Sequence, residues 1–248
     1  MAAACNGMAL YGGLRPFCAT FLVFADYLKP ALRLSAIMRL PVLYVLTHDS
    51  IGVGEDGPTH QPIEQIASLR ATPNTLVFRP ADVCETGASY IAALRHRLPA
   101  VMAMTRQNLP QLPGSSREAE KGGYILRDAE NGKPDVILIA SGSEVQYAVE
   151  AADLLKEKGL AARVVSMPCM DLFDMQDEAY REKVLPKAVR ARVAIEAECD
   201  MGWHKYTGLD GKVIGINRFG ASGPYATLFR EFGFTAEAVA EAALSLRA

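Results

Sequence analysis

The sequence predicts an α/β protein built as two successive units with mostly parallel sheets. Three features carry this reading: short, continuously apolar runs rich in β-branched residues, helical stretches alternating with them, and a mid-chain segment where hydrophobic periodicity is lost. With 248 residues, half of them hydrophobic and 22% charged, the chain has enough apolar side chain for a real core, and its composition excludes disorder. Twenty-six basic against 28 acidic residues give a net charge of -2. No basic block is present, so neither nucleic acid nor an anionic membrane is an expected partner.

Taken in order, Met1 to Gly13 reads as the end of a helix stopped by Gly12-Gly13, since it lacks the charged start and cleavage site of a signal peptide. Phe21 to Leu40 has apolar residues at helical spacing, with Pro30 as a kink or local start. The apolar stretch from Phe17 to Leu46 contains Asp26, Lys29, Arg33 and Arg39, which argues against a membrane span. PVLYVLT (Pro41 to Thr47), TLVFRP (Thr75 to Pro80) and AVMAMT (Ala100 to Thr105) read as buried parallel strands. Between the last two, Asp82 heads a helix to Arg97, with Glu85 at capping-box spacing. Periodicity disappears in QNLPQLPGSSREAEK, from Gln107 to Lys121. A second series follows: a strand from Val136 to Ser141, a helix from Ser143 to Lys158 closed by Gly159, a strand from Arg163 to Pro168, a helix from Asp174 to Val184, strands at Arg192 to Ala197 and Lys212 to Ile216, and two short helices. Domain limits of 1–112 and 134–248, joined by a linker at 113–133, follow.

The loop Thr47 to Gln61, THDSIGVGEDGPTHQ, leaves the carboxyl end of a predicted strand, where open α/β sheets bind ligands. It holds two of the four histidines, His48 and His60, together with Asp49, Glu55, Asp56 and three glycines. Such a loop can turn His and carboxylate side chains onto one small ligand, although a surface loop with incidental histidines is the plainer alternative. The histidine spacing matches no metal site. Five scattered cysteines, Cys5, Cys18, Cys84, Cys169 and Cys199, suggest no disulfide framework and fit a reducing cytoplasm. Trp203 to Tyr206 reads as surface or interface packing. Ser141 to Glu144 reads as an ordinary helix cap or, alternatively, an anion site.

GVGEDGPTHQPIEQIASLR (Gly52 to Arg70) resembles the transketolase signature of the thiamine-pyrimidine domain. Around it, TFLVFADY (Thr20 to Tyr27), THDSIG and TRQN (Thr105 to Asn108) are similar to the same family, as are ASGSEV, RVVSMP and FGASGP farther on. The resemblance implies a thiamine diphosphate-dependent transfer of a two-carbon ketol unit between sugar phosphates, in the pentose phosphate pathway, by a homodimer. It assigns Phe24, with Phe21 and Tyr27, to the wall against the aminopyrimidine ring, on one helical face. His48, Asp56, His60 and Arg106 fall around the sugar phosphate: Arg106 and His48 as phosphate donors, Asp56 as acceptor for a sugar hydroxyl, and His60 for proton traffic at the sugar oxygens. Deoxyxylulose-phosphate synthase is the nearer alternative, but its DRAG-like loop is replaced here by THDSIG. The family also uses a GDG-type domain for the diphosphate and magnesium, and a glutamate that would align just upstream of Met1. Neither is in this sequence. The resemblance therefore implies a first unit incomplete at its N-terminus, an unpaired sheet edge, an exposed apolar helix face, and a chain inactive alone. A binding or dimerisation remnant is the alternative from another class.

Overall fold

The computed structural model describes residues 1–130 and 132–246. In the first unit, helix α1 (Ala2–Tyr11) leads into strand β1 (Phe17–Phe21), a 3-10 turn (Leu22–Phe24) and helix α2 (Ala25–Met38). Strand β2 (Leu43–Thr47), a 3-10 segment (Ile51–Asp56), helix α3 (Gln65–Arg70), strand β3 (Leu76–Phe78), helix α4 (Val83–Arg95) and strand β4 (Ala100–Met104) follow. The sheet runs β1-β2-β4-β3, all parallel. Its buried face packs Tyr44, Leu46, Val77 and Val101 against Leu28, Leu32, Ile66 and Leu69. Apolar on both faces, the strands need helices on both.

Register matters more than the strand count. Phe21 pairs with Thr47, and Thr47 with Met104. Three strands therefore end at one level, and the chain leaving them carries Phe24, His48 and Arg106.

The second unit comprises a 3-10 turn (Arg117–Lys121), strands β5 (Tyr124–Arg127) and β6 (Val136–Ala140), a 3-10 turn (Gly142–Glu144), helix α5 (Val145–Glu157) and strand β7 (Ala162–Ser166). Helices α6 (Met170–Asp174) and α7 (Glu178–Val184), strand β8 (Arg192–Ile195), helix α8 (His204–Thr207), strand β9 (Lys212–Ile214) and helices α9 (Tyr225–Glu231) and α10 (Ala236–Ser245) complete it. The order is β5-β7-β6-β8-β9, with only β5 antiparallel. Helices α5 and α10 cover one face, and Met170, Phe173, Trp203 and Tyr206 the other. Among the described residues no helix is long and apolar enough to cross a membrane.

Several expectations need correction. The helix expected from Phe21 starts at Ala25. The residues before it form β1 and a 3-10 turn, so Phe21, Phe24 and Tyr27 do not share one helical face. Pro30 lies inside α2 and neither starts nor stops it. Strand β5 and a 3-10 turn occupy the stretch read as a linker, because Tyr124 and Leu126 are buried against β7. The helix expected from Asp174 to Val184 starts only at Glu178, as α7, because Asp174 is the last residue of a separate helix, α6, that begins at Met170. The exposed edge and apolar face are both present: among the described residues β1 pairs only with β2, and Met8, Leu10, Tyr11, Phe17, Leu34 and Ile37 are exposed.

Candidate active site

The segment after β2 departs from regular structure at once. His48 adopts φ 62, a left-handed conformation uncommon without glycine. Ser50 then caps the 3-10 segment by accepting from the Gly52 N–H at 3.1 Å. Gly54, at φ 82 and ψ -123, breaks that segment in two, and Gly57 ends it at φ 76. Side chains would strain both positions, and a Cβ at Gly57 would press on Ser222 at 3.3 Å.

These turns bring together residues that are scattered in the sequence. The His48 ring stacks on Phe21 with centroids 3.6 Å apart, and its Nδ1 lies 3.0 Å from Thr47 Oγ1. His60 meets Phe24 edge-on at 5.8 Å. Burial, and next the positive charge of Arg106, lower the His48 pKa below its ordinary value, while Asp56 and Asp49 oppose them. His48 thus feels both charged residues expected around the sugar phosphate. Asp56 and Arg106 are exposed, whereas His48 and His60 are half-buried.

The aromatic residues form a row, not a stripe on one helix. Phe21 to Phe24 is 6.3 Å and Phe24 to Tyr27 is 6.1 Å between centroids. A cavity of about 320 Å³ is lined by Met1, Ala2, Ala3, Thr20, Phe24, Tyr27, Leu28 and Ala31. Phe24 and Tyr27 face this cavity, whereas Phe21 spends one face on His48. The apolar lining suits the ring half of thiamine diphosphate. Among the described residues, no group of three or more His, Cys, Asp or Glu is placed to hold a metal ion.

Behind the loop lies a buried ionic network that sequence reading missed. Arg79, fully buried after β3, donates to Asp49 at 2.9 Å, to the Ser141 carbonyl at 3.0 Å, and to the Glu144 carboxylate. Arg70 grips Glu196 with both ends of its guanidinium, at 2.6 and 2.8 Å. Trp203 Nε1 donates to the same carboxylate at 2.7 Å. Trp203 is therefore buried at the junction and not at the surface. The Ser141 to Glu144 turn is filled by its own carboxylate, so neither a simple cap nor an anion site describes it. The one available signal was charge inside apolar flanks: Arg79 follows Phe78, and Glu196 follows Ile195.

Comparison with known proteins agrees with this architecture. The profile for the transketolase pyrimidine-binding domain matches residues 1–111, and that for the transketolase-like C-terminal domain matches residues 122–235. Chloroplastic transketolase-1 of Arabidopsis thaliana is 57% identical over 99% of this chain, which covers 34% of that protein. A Pichia stipitis transketolase, solved as a complex with sedoheptulose 7-phosphate, superimposes with a TM-score of 0.94 at 48% identity, covering 100% of this chain and 36% of its own. A structure titled split gene transketolase, inactive β4 tetramer, aligns with a TM-score of 0.82 at 27% identity, covering 98% of this chain and 79% of that one. The chain spans about a third of the length of the curated relatives it matches. With both domain profiles matched in sequence order and the fold shared from end to end, the chain belongs to the transketolase family, as a C-terminal portion carrying its pyrimidine-binding and C-terminal domains.

Proposed function

We propose that this chain supplies the ring-binding wall and the sugar-phosphate pocket for a thiamine diphosphate-dependent transfer of a two-carbon ketol unit from a ketose phosphate to an aldose phosphate. The observation that carries this reading is the convergence of His48, His60, Phe21 and Phe24, with Arg106 and Asp56 within electrostatic reach of His48. Bound thiamine diphosphate would supply the nucleophilic carbon that accepts the ketol unit. Phe24 and Tyr27 would hold its aminopyrimidine ring through their faces. Arg106 offers a planar fork of donors for a phosphate, and His48 a second donor beside it. Asp56 would accept from a sugar hydroxyl, so an epimer lacking that hydroxyl leaves a carboxylate unpaired. His60 would give and take the proton at the reacting sugar oxygen.

We infer further that the diphosphate and magnesium are held by sequence other than this chain, that the complete enzyme is a homodimer, and that the chain alone is inactive. Its length relative to its relatives and the inactive split-gene tetramer support that inference. Its five cysteines are all free, which supports the cytoplasm or another reducing compartment.

The pocket assignment is tested by grafting the chain in place of the corresponding third of a full-length relative. Arg106→Ala in that graft should raise KM for both sugar phosphates by an amount worth about 2 to 4 kcal/mol while changing kcat much less, because a remote phosphate is held in ground and transition states alike. Unchanged KM values would remove Arg106 from the site.

A further inference from the structure

The second unit holds the segment from His48 to Gln61 at three places, through Arg79 of the first unit at its start and directly at its middle and end. At the start, Asp49 accepts from Arg79, whose guanidinium is itself fixed by the Ser141 carbonyl and by Glu144. In the middle, Ser222 Oγ donates to the Glu55 carbonyl at 2.6 Å. At the end, Gln61 Nε2 donates to the carbonyls of Gly54 and Ala221, both at 2.9 Å. Asp49, Arg79, Glu144 and Gln61 are all at most 2% exposed, so water cannot replace the bonds of these four side chains and a displaced loop would leave polar atoms unpaired. Directly before the first anchor stands His48 in its left-handed conformation, which a non-glycine residue keeps only when its surroundings over-determine it.

We propose that the second unit serves as the template for the sugar-phosphate loop, with Arg79, Gln61 and Ser222 as positioning residues that set the rings of His48 and His60 through the backbone. Its functional meaning rests on the proposed reading of that loop, but the positioning can be observed with no ligand present. Arg79 aligns the segment next to His48, whereas Gln61 and Ser222 fix the turn that presents Asp56 and His60. A substrate loop on a parallel sheet is ordinarily held by its own strands. Here its geometry is also referred to the second unit, in the stretch between β9 and α9, since Gln61 and Ala221 are 160 residues apart and Ser222 and Glu55 are 167 apart.

The test uses the full chain labelled at histidine, in which stacking of His48 on Phe21 and the edge contact of His60 with Phe24 produce ring-current shifts. Gly220→Ala changes a residue of the second unit whose added Cβ would overlap Gln61 Oε1 and expel that side chain from its two carbonyls. Arg79→Lys keeps the charge and loses the fork, and Ser222→Ala removes one exposed hydroxyl with no cost to the core. All three should move the His48 and His60 ring signals toward those of an unstacked imidazole, most in Gly220→Ala and Arg79→Lys and least in Ser222→Ala. The His48 titration midpoint should rise as its burial and its approach to Arg106 are relieved. His96 and His204, outside the loop, should not move. A network that merely stabilises the fold would lower the melting temperature and leave the folded-state His48 and His60 signals in place, which would overturn the proposal. Ser222→Ala keeps the comparison open if either buried-site variant does not fold. Adding ribose 5-phosphate to the wild type forms a separate arm: unmoved histidine signals there would count against the sugar-phosphate reading without touching the ligand-free result.

Discussion

Glu196 and Glu198 stand two residues apart after β8, both 1% exposed, yet their pKa values are displaced in opposite directions. Burial alone would raise the Glu196 pKa, but Arg70, then Arg79 and Ser141, hold it down at about 2. Neither oxygen of Glu198 has a hydrogen-bond partner among the described residues. Burial pushes its carboxyl well above the usual range; Arg79 opposes, and Glu196, Asp49 and Glu144 add to the rise. Folded Glu198 therefore keeps a proton that the unfolded chain releases at ordinary carboxylate pH. Stability conferred by this site falls as pH rises from that range toward the elevated folded value. Glu198→Gln should abolish the decline, with a gain over wild type that grows by up to about 1.4 kcal/mol per pH unit above the unfolded pKa and vanishes below it. Glu196→Gln should do the reverse, costing about 3 to 5 kcal/mol near neutrality by leaving buried arginine charge unpaired. That loss should shrink as pH falls through the carboxylate range toward about 2. Urea midpoints followed from about pH 4 to about pH 8 check both signs, and parallel curves for the three proteins would contradict them. None of this was legible in the sequence. Arg70 and Glu196 are 126 residues apart, and only the fold brings them together.

Among the elements, those with a strong local signature were legible. Asp82 caps α4 as its spacing predicts, accepting from the Glu85 N–H at 2.9 Å, although the Glu85 carboxylate accepts from Ala81 and not from Asp82. Asp82 also receives Gln111 Nε2, the Leu112 N–H and Ser115 Oγ, which tie down the chain after β4. Thr235 caps α10 with a single bond from the Ala238 N–H. Asp82→Ala should therefore cost on the order of 3 kcal/mol, against about 1 for Thr235→Ala, since the first also strands three donors. Equal costs in urea denaturation would mean that the extra bonds contribute nothing. Elements missed in the sequence lacked such signatures. β1 is a five-residue edge strand with Phe17 exposed, so neither alternation nor a buried run marks it. β5 has four residues beside a charged turn and is made a strand by pairing with β7. In both, tertiary context overrides a weak local preference.

At the scale of the whole molecule, parallel register places the ends of β1, β2 and β4 level, so the aromatic row, the histidine loop and Arg106 converge at one rim of the first sheet. The alternation of strands and helices revealed the two-unit α/β plan, and the loop drew notice as a candidate because a strand delivers it to the carboxyl end of the sheet. What stayed hidden was the closeness of the units: Arg79 N–H donates to the Pro168 carbonyl at 2.7 Å, Gly142 N–H to the Arg79 carbonyl at 2.9 Å, and Cys199 N–H to the Ile63 carbonyl at 2.8 Å. Such cross-links depend on backbone meeting backbone and leave no mark in composition or periodicity. The most direct measurement of the proposed role is release of glyceraldehyde 3-phosphate from xylulose 5-phosphate and ribose 5-phosphate, compared between this chain alone and the same chain grafted into a full-length relative. The chain alone should give no release with thiamine diphosphate and magnesium present. The graft should give release that requires both, and Phe24→Ala and His60→Ala should lower it. A graft that folds and binds thiamine diphosphate yet transfers no ketol unit would contradict the assignment of this chain to the sugar-phosphate side of that reaction.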